Sequence, residues 1–78
     1  MLIRNKLIEF RGNRSQKKMA EMYGVTQQTW SKWELGGAIP SLMVMKQIEI
    51  DSKISMEVLF FDVFNKLNLL NSPNPKAS

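Results

Sequence analysis

A chain of 78 residues without cysteine or histidine makes one small domain, which buries only ~60% of its unfolded surface and has no disulfide or thiolate-bound metal to reinforce it. The missing imidazole removes the commonest general base and metal ligand, so neither an enzyme nor a cofactor is expected. The net charge of +4 is uneven, with seven cations against two acids in residues 1–32 and four against five in 33–78, and an electropositive half suits a polyanion such as nucleic acid or an anionic membrane surface.

The longest apolar runs, 42–45 and 58–61, fall far short of the ~20 residues a spanning helix needs. The start, Met1-Leu2-Ile3-Arg4, lacks the basic-then-apolar order of a signal peptide, so a cytoplasmic location is expected. In chain order, Ile3, Leu7 and Phe10 recur at helical spacing and predict an amphipathic helix over about 2–11, ended by Gly12-Asn13. Ser15, Thr26, Ser41 and Ser55 each precede a further helical segment and are expected as N-caps. The second helix, 16–23, turns Met19, Ala20 and Tyr23 inward and stops at Gly24. The third, 27–35, turns Trp30 and Trp33 inward and stops at Gly36-Gly37, with Pro40 just before the next cap. A fourth helix from Leu42 carries Leu42, Met45 and Ile48 on one face. Residues 50–54 are expected as a loop, because a lone strand would have no partner. From Met56, the spacing of Leu59, Phe60, Val63, Phe64, Leu67 and Leu70 predicts a last helix reaching about residue 70. A tail over 71–78 without an apolar anchor is expected to be disordered.

Two short helices joined at Gly24 carry the functional reading. Ala20 lets them approach closely, Gly24 turns without a Cβ penalty, and Val25 plugs the corner. This is the pattern of a helix-turn-helix whose second helix reads DNA. The stretch SQKKMAEMYGVTQQTWSKWELGGAIPSL resembles the helix-turn-helix of Cro- and repressor-type phage regulators, the Xre family. Glu34, Gly36 and Pro40 are similar to that family's turn after the recognition helix, and residues 54–60 to its fifth-helix start. The resemblance spans about residues 3–60 and implies an all-α, five-helix lambda-repressor-like domain that usually binds operators as a dimer. Four features depart from the family. The first turn is about two residues shorter, Arg14 stands where a leucine is usual, Trp30 replaces a smaller aliphatic residue, and Glu49 and Ser52 replace Ala and Leu.

At ~100° per residue, Gln28, Ser31 and Lys32 point away from the face of Trp30 and Trp33, and Gln27 lies at the flank of the first turn. A glutamine amide can pair with N6 and N7 of adenine, so Gln27, Gln28, Ser31 and Lys32 are the candidate base-reading residues. The resemblance implies base contacts from a Thr-Gln-Gln at this place; the plainer alternative is that both glutamines are simply soluble helix formers. Gln16, Lys17, Lys18 and Thr26 are candidate phosphate contacts. The loop Gly36-Gly37-Ala38-Ile39 could present backbone N–H groups to phosphate. Ala20, Gly24, Val25, Trp30 and Trp33 are expected as structural residues, with base stacking the weaker alternative for the tryptophans. The family often buries an ion pair between an arginine of the first helix and the later glutamate, here Arg11 and Glu34.

The expected partner is double-stranded DNA, with no membrane, metal or small-molecule ligand. A homodimer is expected through Phe60, Phe61, Phe64 and Leu67, because the C-terminal segment offers more apolar surface than one face of a monomer can use. The alternative is an antitoxin-like module that neutralises a protein partner and binds DNA secondarily.

Overall fold

Short helices survive only if their ends are satisfied, and three hydroxyls do this here. Ser15, Thr26 and Ser41 accept from the backbone N–H of Lys18, Thr29 and Val44 respectively. The computed structural model describes residues 2–65, and among these every regular element is helical. They are α1 (Asn5–Arg11), α2 (Gln16–Met22), α3 (Gln27–Glu34), α4 (Leu42–Ser52) and α5 (Met56–Leu59), followed by a segment helical over 61–65, labelled α6. The all-α class is as expected, with six helices rather than five among the described residues. The expected reach of the last helix to about 70 and the tail at 71–78 lie outside them.

α2 packs mainly on α3, α1 against α3 and α5, and α4 against α5. The core is built from Leu7, Met19, Ala20, Trp30, Trp33, Met45, Ile48, Leu59 and Phe60. Tyr23 stacks on Trp30 with ring centroids 5.6 Å apart, and Trp33 meets Trp30 edge-on at the same separation. Large aromatic area in a small domain compensates for its thin core. The Tyr23 hydroxyl donates to Asp51 Oδ2 at 2.7 Å, tying α2 to α4. Burial, then this bond, raises its pKa well above the ordinary phenol value.

Five expectations are corrected. α1 begins at Asn5 rather than residue 2, because the Arg4 N–H donates to Glu34 O at 2.8 Å and holds residues 2–4 extended across the end of α3; Ile3 is consequently exposed. Residues 50–52 continue α4, which ends at Lys53 in the left-handed region, φ 62°. Leu42 is 65% exposed, so only Met45 and Ile48 of its expected face are buried. Ser55 makes no side-chain cap; Glu49 Oε2 instead accepts from Met56 N at 3.0 Å, so the carboxylate at an unusual place caps α5. Finally, the expected continuous last helix breaks at Phe60, φ −122°, ψ 46°. Phe60 is fully buried within the single chain, beneath the Arg4 guanidinium, and so is not available to the expected dimer interface.

The short turn after α1 is closed by the arginine at the leucine place. Arg14 lies over the Phe10 ring at 4.9 Å and donates to the carbonyls of Phe10 and Arg11. Those acceptors belong to the last turn of α1, where Arg11 O also accepts from Arg14 N at 3.1 Å, and a cation there suits the helix dipole.

Candidate nucleic-acid interface

The turn between α2 and α3 follows from Gly24. Its φ of 68° lets Gly24 N donate to Glu21 O at 3.4 Å and Val25 N to Ala20 O at 2.9 Å. These two bonds close a Schellman motif and turn the chain into Thr26, the cap of α3. The end of α3 repeats the device. Gly36 has φ 77°, and Gly37 N donates to Lys32 O at 2.8 Å. Gly36 is further constrained because a Cβ there would collide with the Leu2 carbonyl oxygen.

Between these two stops α3 divides its residues sharply. Trp30, Trp33 and Glu34 are buried, Ser31 is half-buried, and Gln27, Gln28 and Lys32 are exposed. Of the expected structural residues, Trp30 and Trp33 take the inner face, Ala20 is buried and Val25 packs on the core, while Gly24 is exposed in the turn. Of the expected reading residues, Gln27, Gln28 and Lys32 lie on the outer face and Ser31 between the two. Lys17 and Lys18 are exposed in the first turn of α2 and form no ion pair among the described residues, whereas Lys6 and Lys46 are paired with Glu9 and Glu49. Neither α2 nor α3 has an acid in its first turn. Cations at a helix start work against its dipole, so these lysines are not placed for the stability of α2.

Two of the candidate phosphate contacts already have hydrogen-bond partners within the chain. The Thr26 hydroxyl accepts from Thr29 N at 3.1 Å and lies 2.9 Å from Thr29 Oγ1. Gln16 is half-buried, and its Nε2 donates to Glu34 Oε1 at 2.9 Å. A primary amide has two hydrogens, so Gln16 keeps one for another acceptor.

Glu34 is where the unit is tied together. Its Oε2 accepts from Arg11 Nε and from Trp30 Nε1, both at 2.6 Å, and its Oε1 accepts from Gln16 Nε2 and from Arg11 Nη2 at 3.3 Å. A carboxylate only 2% exposed is tolerable because every lone pair meets a donor. The bond from Trp30 also explains how an indole fits where an aliphatic residue is usual: its N–H needs a buried acceptor, and Glu34 is one turn away.

Arg4 and Asp62 were not among the expected site residues. Arg4 is 1% exposed and binds both oxygens of Asp62 at 2.9 Å, while its Nη1 donates to Trp33 O and Ala38 O at 2.7 Å. One cation is thereby removed from the electropositive surface. The available sequence signal was Asp62 itself, the one carboxylate in the apolar run 58–64, which calls for a buried partner. No group of three metal-ligating side chains converges among the described residues, and no helix among them is long and apolar enough to cross a membrane.

Comparison with known proteins agrees with this geometry. The helix-turn-helix family model HTH_3 matches residues 3–59, from the extended start through all of α5. No curated protein and no solved structure matches the chain. The matched span holds the capped α2, the Gly24 turn, the two-faced α3 and the Gly36 stop, and the chain belongs to the Cro- and C1-type helix-turn-helix family of DNA-binding regulators.

Proposed function

We propose that the chain is a sequence-specific transcription regulator of the cytoplasm that places α3 in the major groove of an operator. The division of α3 carries this reading: Trp30, Trp33 and Glu34 fix one face to the core, leaving Gln27, Gln28 and Lys32 in solvent. Glutamine at the start of such a helix can engage adenine through paired hydrogen bonds. Lys17 and Lys18 supply phosphate contacts that position the helix without specifying sequence. Regulation follows from occupancy, either by blocking polymerase or by contacting it.

Dimerisation belongs to the same proposal. Phe61 is 38% exposed and Phe64 half-buried, which supports an apolar patch at these two residues; Leu67 lies outside the described residues. A symmetric pairing through this patch sets two recognition helices about 34 Å apart on a near-palindromic operator. Selection from randomised duplexes followed by sequencing tests the reading. Enrichment of a two-fold site with half-sites one turn apart is expected. No enrichment would overturn sequence-specific binding, and enrichment of a lone half-site would overturn the dimer. Sedimentation of Phe61→Asp beside the full chain checks the patch directly, with loss of a dimer expected.

A further inference from the structure

The buried guanidinium of Arg4 lies outside the reading face, yet two of its acceptors flank the loop that follows α3. Nη1 donates to the carbonyls of Trp33 and Ala38, which bracket the loop after α3, and Nε and Nη2 grip Asp62 in α6. The strap formed by residues 2–4 is fastened twice more to the same region. Arg4 N donates to Glu34 O at 2.8 Å, and the Leu2 carbonyl fills the space a Cβ on Gly36 would need. Phe60 lies under the guanidinium with its ring centroid 5.3 Å from Cζ.

The energetics of this arrangement are sharply coupled. A guanidinium 1% exposed is stable only while its charge is matched, and removing the partner of a buried pair leaves an uncompensated ion. Displacing α6 takes Asp62 away, the guanidinium then moves toward water, and the carbonyls of Trp33 and Ala38 lose their donor. The loop following the recognition helix then loses its side-chain fastening.

We propose that Arg4 is a positioning residue for the C-terminal end of α3 and the loop after it, and that the Arg4–Asp62 bridge transmits the seating of α6 to the loop over 35–41. The proposal rests on the DNA-binding reading, because it names how that site is held and what regulates it. It predicts that whatever seats or unseats the C-terminal helix changes DNA affinity without touching DNA.

The test uses the full chain carrying Asp62→Asn, with Arg4→Lys as a second variant that keeps the charge but lacks the fork for both carbonyls. Amide hydrogen exchange of Gly37, bonded to Lys32 O, is compared with that of Val25, bonded to Ala20 O in the equivalent motif after α2. In both variants Gly37 is expected to exchange about tenfold faster relative to Val25, and affinity for the selected operator to fall by a similar factor, the usual size of a coupling between sites. Equal acceleration at the two amides would mean general destabilisation and overturn the proposal. So would wild-type affinity in a variant whose Gly37 is loosened. Failure of the wild-type chain to select any duplex would instead overturn the DNA reading, and the exchange ratio, measured without DNA, would still decide whether the fastening exists.

Discussion

Glu34 gathers donors from three elements: Arg11 of α1, Gln16 of α2 and Trp30 of its own helix. Glu34→Ala should therefore cost ~3–5 kcal/mol in urea unfolding, because it strands the Arg11 charge and leaves a buried indole N–H without an acceptor. A loss below ~1 kcal/mol would mean that the pair behaves as an exposed one. The two turn glycines provide a second comparison. Both have positive φ, but a Cβ at Gly24 meets nothing within 4 Å, whereas one at Gly36 strikes the Leu2 carbonyl. Gly24→Ala should cost ~1–2 kcal/mol, the conformational penalty alone, and Gly36→Ala clearly more. Equal losses would show that the strap at residues 2–4 moves away freely. Arg11 and Glu34 could be named from sequence because the family pattern marks both. Arg4 could not, since its partners lie 29, 34 and 58 positions away and nothing local distinguishes it from a surface cation.

At the level of elements, local chemistry was legible and tertiary chemistry was not. Ser15, Thr26 and Ser41 cap the helices that follow them because capping needs only the next three residues. The break at Phe60 was hidden: the 3-and-4 spacing of apolar residues passes through it smoothly, and the kink accompanies the packing of Phe60 beneath Arg4. The cap of α5 was hidden for the same reason, since Glu49 reaches Met56 from another helix. The start of α2 offers a prediction of its own. Lys17 and Lys18 sit against the dipole without acidic partners among the described residues, so alanine at either should leave urea stability unchanged or slightly raised. Each should also lower the log–log salt slope of DNA binding by about 1 if it contacts a phosphate. Lost stability with an unchanged slope would assign these lysines to the fold rather than to DNA.

For the whole molecule, two carboxylates link stability to pH. Asp62 is held below the ordinary carboxylate range chiefly by its hydrogen bond from Arg4, and Glu49 chiefly by its bond from Lys46. Unfolded carboxylates titrate near ~4. Their depressed folded values mean that stability is fully present above that pH and lost as pH falls through the folded values. The urea midpoint should be flat down to about pH 5 and fall below about pH 4. Asp62→Asn should start lower and lose less on acidification; a variant curve parallel to wild type would exclude Asp62 as a source of the acid sensitivity. What the molecule does with its stability turns on the outer face of α3. The most direct test compares Gln27→Ala and Gln28→Ala with the wild-type chain on the selected operator and on random duplex at one salt concentration. Base reading is expected to cost each variant ~1–3 kcal/mol on the operator and almost nothing on random DNA, whereas equal losses on both duplexes, or none on either, would show that α3 does not read sequence through these glutamines.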